Sequence, residues 1–172
     1  MHETLRTPHD LQRFIATHGI TAQLLREVGD TPTVPAAAAV LGVETDQIIK
    51  TLLFVVEWPE TPSTKPTAVV VISHGERRVD RKQLAAHLGV SHHRIRFASA
   101  GVVLELLGYP AGGVPPLGHK TALPVILDAA VVHAAAQVND IFFGGGGDDR
   151  TMLRISLTEL IRVVQPEVVA VS

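Results

Sequence analysis

Apolar residues recur along this chain in two rhythms. Near the start they fall three and four apart: Leu11, Phe14 and Ile15 share one face, Thr7 stands where a helix is capped, Pro8 suits the first helical position and Asp10 favours the positive end. A helix is therefore predicted up to the stop at Gly19. Thr33, Val34 and Pro35 open a second, alanine-rich helix that Gly42 closes, Asp80 caps a third ending at Gly89, and Ser99 caps a fourth ending at Gly108. Over residues 48–58 the rhythm changes to apolar residues in both parities, which suits an interior strand covered on both faces. Residues 67–73 are its natural neighbour, and Pro59, Pro62 and Pro66 mark the loop between. Further strands are predicted at 22–28, 124–128, 138–143 and 151–156, the last leading into Ser156 and Glu159, spaced as a capping box for a helix ending near Val164.

Strands thus come in groups, separated by short helices and without a regular βαβ alternation. That predicts a mixed α+β fold, a mixed sheet with helices packed around it, rather than a doubly wound one. With 172 residues, 46% of them hydrophobic, one unit spanning residues 1–172 is able to bury a core of its own. The absence of cysteine removes thiol chemistry, thiolate metal sites and disulfides and agrees with a cytoplasmic location. The first six residues do not read as a secretory signal, and no apolar run reaches the roughly 20 residues of a membrane span, so no membrane partner is expected. A net charge of −2 argues against coating nucleic acid through a broad basic surface, but leaves room for a local footprint. Arg77, Arg78, Arg81, Lys82, Arg94 and Arg96 supply one candidate, either a solvated face or a contact for RNA phosphates.

Three features carry candidate chemistry. Lys50 shares its parity with Ile48, Leu52, Phe54 and Val56, so its ammonium either escapes at a strand edge or points into a cavity where an anion waits. In the segment 108–119, adjacent glycines let backbone N–H groups approach a ligand oxygen while prolines stiffen the loop, which fits an oxyanion hole and equally a rigid connection. The run Gly144, Gly145, Gly146, Gly147, Asp148, Asp149 lacks the Gly-Lys-Ser/Thr ending of a phosphate loop, and its acids would repel phosphate; it reads as a hairpin turn with room beside it for one wall of a pocket. The nine histidines show no zinc spacing and the serines no nucleophile elbow, so neither a metal nor an organic cofactor is expected.

Taken in order, residues 49–53 (Ile-Lys-Thr-Leu-Leu), Gly108-Tyr109 with residues 112–118 (Gly-Gly-Val-Pro-Pro-Leu-Gly), residues 123–128 (Leu-Pro-Val-Ile-Leu-Asp), and a late glycine turn followed by residues 153–156 (Leu-Arg-Ile-Ser) and Leu160 resemble the YbaK and prolyl-tRNA-synthetase editing-domain family. The resemblance spans about residues 33–164 and rests on the ordered combination rather than on any one motif. It implies a curled, barrel-like mixed sheet surrounded by short helices, and hydrolysis of the ester between an amino acid and the 3′-terminal adenosine of tRNA. Carried onto matching positions, Lys50 holds the terminal phosphate or ribose, and Gly112 and Gly113 offer backbone groups to the aminoacyl carbonyl. Thr51 lines the amino-acid pocket, with Val114, Pro115, Gly118 and His119 on the loop side and Gly145 and Gly146 as the wall. His119 stands either to contact substrate or to cap the following segment.

The implied partner is the 3′ end of aminoacylated tRNA, with an aminoacyl-tRNA synthetase as a possible second partner; a monomer and a homodimer both fit. The cysteine-editing branch of the family carries an acidic residue near the position of Met152, so alanine or another small amino acid stands beside cysteine as the one removed. Two other readings stay open: a binding module of the same fold that grips a tRNA end or a synthetase, and a hydrolase of small nucleotides, which the lack of clustered carboxylates disfavours.

Overall fold

The computed structural model describes residues 5–29, 31–60 and 62–172. The chain runs through α1 (Pro8–Thr17), β1 (Ala22–Leu25), α2 (Val34–Leu41), β2 (Ile49–Val56), β3 (Ala68–His74), α3 (Arg81–Leu88), β4 (Ile95–Phe97) and α4 (Ala100–Leu107). It continues through β5 (Val125–Asp128), α5 (Ala129–Ala134), β6 (Ile141–Gly145), β7 (Met152–Ser156), α6 (Leu157–Val164) and β8 (Glu167–Val169). The helices begin where short polar side chains take up free backbone donors: Thr33 accepts from Ala36 N at 3.2 Å, Asp80 from Lys82 N at 2.8 Å, Ser99 from Val102 N at 3.3 Å. At α1 the Asp10 carboxylate accepts from both the Thr7 amide and its hydroxyl, and these bonds hold the carboxyl below its usual range. Gly42, Gly89 and Gly108 end α2, α3 and α4 in the left-handed conformation.

The strands form two sheets instead of one continuous barrel-like sheet. One is antiparallel, in the order β1-β7-β6; the other is mixed, in the order β4-β2-β3-β5-β8, with β3-β5 and β5-β8 parallel. Among the described residues one parallel bridge, between Ile48 and Phe143, links them through the backbone. The strand over residues 48–58 is covered on both faces as its pattern predicts: Ile49 and Leu53 join one core cluster with Val70, Ile72 and Leu153, and Phe54 and Val56 join another with Val69, Val71 and Leu84. Among the described residues no helix is long and apolar enough to cross a membrane.

Three elements escape the sequence pattern. β4 and β8 are three residues each, too short to show a period, and α5 carries two adjacent valines that read as strand. Its neighbour β6 starts at Ile141, later than expected, because Asn139 and Asp140 both take positive φ in a turn after α5. Ser156 caps α6 by accepting from Glu159 N at 3.1 Å, but Glu159 does not close the box. Its carboxylate accepts from Thr21 N at 2.9 Å and from Arg162, whose hydrogen bonds do most to lower its pKa to about 2. Glu159 therefore joins α6 to the start of β1 instead of stapling its own helix.

Asp128 ends β5 and begins α5. It is 1% exposed, its Oδ1 accepts from Ala130 N at 3.2 Å, and Val171 N lies 3.5 Å from the same oxygen. Asp128→Ala removes this cap and is expected to cost about 1–2 kcal/mol. Urea denaturation will show it as a lower midpoint with an unchanged slope.

Candidate active site

β2 is an interior strand for only half its length. β4 pairs with Phe54, Val55 and Val56, and the bridge to β6 falls at Ile48, so residues 49–52 have β3 on one edge and, among the described residues, no strand on the other. Two hollows open along this gap. The first, of about 410 Å³, is lined by Lys50 and Thr51 of β2, Gly112 and Val114 of the loop after α4, Gly145 of β6, and Asp148 of the turn after β6. The start of α2, Thr151 and Met152 complete its walls. The second, of about 580 Å³, is cationic on balance, with Lys50, Arg77, Arg78, Arg81, Lys82 and His92 around it, the carboxylate of Asp80 among them, and the exposed ring of Phe97 at its side. Lys50 lines both.

The half-paired strand resolves the two readings of Lys50, since the residue is at once on an open edge and beside a cavity. Its Nζ donates to the Arg77 carbonyl at 3.3 Å, in the turn after β3. Burial, followed by the nearby Arg78 guanidinium, lowers its pKa below the ordinary lysine value, while Glu76 works in the opposite direction. An anion placed at this ammonium would offset both unfavourable effects. Thr51, on the opposite face of β2, has a buried hydroxyl with no hydrogen-bond partner among the described residues.

The loop after α4 is held from several sides. Gly113 N donates to Pro110 O at 3.0 Å, and Gly112 sits inside that turn with φ +92°, as the third position of a type II turn requires. Arg6 donates to the Gly118 carbonyl at 2.7 Å, and the His119 ring nitrogen lies 2.7 Å from Pro115 O. Burial drives the His119 pKa down, which favours the neutral ring. Backbone meets backbone on the pocket side. A Cβ on Gly113 would stand 2.8 Å from the Asp148 main chain, one on Gly145 would collide with the Val114 carbonyl oxygen, and Gly147 N donates to Gly113 O at 2.8 Å.

Of the positions expected in the site, Lys50, Thr51, Gly112, Val114 and Gly145 meet at the first hollow. The rest take other places. Gly113 spends its amide on Pro110 and so is not a free donor for a carbonyl. Gly118 packs on Leu11 and Phe14 of α1, Pro115 is buried with its carbonyl against His119, and Gly146 is pressed onto the Thr151 backbone. His119 belongs to the loop's own support and is not among the described residues lining either hollow on Lys50. The sequence reading missed the start of α2, whose capping pattern speaks only of the helix, and Asp148, whose charge was weighed only against phosphate. Among the described residues no group of three His, Asp or Glu gathers as a metal site.

In this mixed α+β fold a lysine, a threonine and a stiff glycine loop line one hollow. The chain belongs to the aminoacyl-tRNA editing domain family, whose profile matches residues 28–163. Among individual proteins it is 30% identical, over 111 residues and 63% of its own length, to a proline–tRNA ligase of Limosilactobacillus fermentum, and it spans 18% of that ligase. Among solved structures, a protein described as a candidate trans-editing enzyme for prolyl tRNA synthetase superposes with a TM-score of 0.81 at 28% identity, covering 96% of both chains. A hypothetical protein superposes with a TM-score of 0.77 at 29% identity, covering 94% of this chain and 98% of its own.

The glycine contacts make a differential prediction. Gly145→Ala drives a methyl into the Val114 carbonyl, cannot be relieved by a side-chain rotation, and is expected to cost about 1–3 kcal/mol. Gly112→Ala meets no atom within 4 Å, so its cost is confined to the left-handed backbone, about 1–2 kcal/mol. Thermal unfolding of the two variants will rank them, and an unchanged Tm for Gly145→Ala would contradict the packing described.

Proposed function

We propose that the first hollow is a deacylase site, in which a mischarged aminoacyl-tRNA loses its amino acid by hydrolysis of the ester to the 3′-terminal adenosine. One observation carries this reading: in a chain of the editing-domain family, Lys50 lines the same hollow as Gly112 and Val114. A phosphate or ribose oxygen sits at the Lys50 ammonium, and the nucleotides before it run into the cationic hollow, whose Arg77, Arg78, Arg81 and Lys82 match a phosphate backbone. Among the described residues the amides of Gly112 and Val114 have no backbone acceptor, and they are the donors for the ester carbonyl, replacing Gly113 in that role.

No protein nucleophile is required. The tRNA ester is activated, and the adjacent ribose hydroxyl positions a water molecule. The water oxygen bonds to the carbonyl carbon, charge develops on the carbonyl oxygen beside the amides, the bond to the ribose oxygen breaks, and a proton passes to that oxygen as it leaves. The chain acts in trans, on tRNA already charged by a synthetase. This reading is supported by the prolyl-tRNA-synthetase context of the ligase and the trans-editing protein it resembles.

A panel of tRNAs charged with different amino acids, assayed for free amino acid, tests the activity. At least one is expected to be deacylated well above spontaneous decay, and Lys50→Ala is expected to lower kcat/KM about 10- to 100-fold, the worth of one charge-assisted hydrogen bond. No turnover across the panel would leave a tRNA-end binding module in its place. The lowered Lys50 pKa adds a pH signature. The charged form binds phosphate, so affinity for a tRNA 3′-end fragment that carries no amino acid is full at neutral pH. It declines as pH rises, with a midpoint below the ordinary lysine value, and Lys50→Ala abolishes that decline.

A further inference from the structure

The first hollow carries charge of both signs. Lys50 directs its ammonium toward the Arg77 carbonyl, on the side of the cationic hollow. Asp148 lines the first hollow but not the second, and its backbone is packed on Gly113, within the loop proposed to hold the ester carbonyl. Its carboxylate is held by the turn: Oδ1 accepts from Arg150 N at 2.9 Å, and Oδ2 takes no hydrogen bond from the described residues. The turn itself is anchored, by Gly147 N to Gly113 O at 2.8 Å and by Val28 N to Arg150 O at 3.0 Å. The hollow is thus cationic toward the side where a phosphate would lie and anionic beside the carbonyl loop. The aminoacylated 3′-terminal adenosine of a tRNA has the matching polarity, with its 5′-phosphodiester at one end and, one bond from the ester carbonyl carbon, a carbon bearing an ammonium.

We propose that Asp148 binds the protonated α-amino group of the esterified amino acid and so selects aminoacyl over hydroxyacyl esters. This rests on the deacylase reading above for its substrate. It gives the acidic end of the glycine turn a role that its repulsion of phosphate had obscured. It also separates two tasks in the hollow: the side-chain walls sort amino acids from one another, whereas Asp148 reads the group that all of them share.

The test uses two stable ligands, adenosine carrying alanine through a 3′-amide and the same compound carrying lactic acid, which replaces the ammonium by a hydroxyl at nearly the same size. Calorimetry is expected to show the wild-type protein binding the alanyl compound about 10- to 100-fold more tightly, as befits a charge-assisted hydrogen bond. The preference should fade as pH rises through about 8, where an α-amino group loses its proton. Asp148→Asn keeps the oxygen that accepts from Arg150 N and should erase the preference while leaving lactyl binding unchanged; Asp149→Asn should leave the preference intact. Equal weakening of both ligands by Asp148→Asn would reveal a purely structural role and overturn the proposal, as would an unaltered preference. Because binding is read without turnover, a protein that deacylates nothing would sink the deacylase reading, while the ratio of alanyl to lactyl affinity would still decide the role of Asp148.

Discussion

Everything in the candidate site depends on backbone packing directly against backbone, at a distance that only glycine permits. The loop after α4 and the turn after β6 approach until Gly113 lies on the Asp148 main chain and Gly145 on the Val114 carbonyl, and a Gly147–Gly113 hydrogen bond fastens them. Side chains at those positions would force the two segments apart. Protein interiors resist such displacement because they are packed nearly as densely as crystals. Glycine here contributes proximity more than flexibility, and it does so at an entropic cost that other contacts must offset.

Those contacts lie behind the loop, away from the hollow. Arg6 reaches the Gly118 carbonyl, His119 the Pro115 carbonyl, and Gly118 packs on Leu11 and Phe14, so α1 acts as a brace for a segment it does not otherwise pair with. A loop secured on its far side holds its amides in one arrangement. The burial that lowers the His119 pKa comes with this support.

On the other side of the hollow, the decisive feature is a strand that is only half paired. β4 covers β2 from Phe54 onward and β6 touches it at Ile48, leaving the stretch with Lys50 and Thr51 bordered by space. A lysine there is buried enough to have its charge disfavoured and open enough to meet a ligand. The Thr51 hydroxyl beside it is buried, with no hydrogen-bond partner among the described residues.

Much of this was legible in the residues alone. Caps at Thr33, Asp80 and Ser99, glycine stops at 42, 89 and 108, and the two-parity run of β2 are local or nearest-neighbour signals, and the corresponding helices and strand stand where those signals put them. The ordered motifs pointed to the editing family, and Lys50, Thr51, Gly112, Val114 and Gly145 do converge. Other features were set by partners distant in sequence. Whether the strands form one sheet or two, which glycine amide is already engaged, that Glu159 turns to Thr21 instead of closing a capping box, and that His119 faces the loop's interior all depend on contacts across the fold. Local pattern determines which elements form because caps, turns and periodicity act within a few residues. Tertiary packing decided which groups stay free for chemistry, because a donor or a charge is available only when nothing brought near by the rest of the chain has taken it.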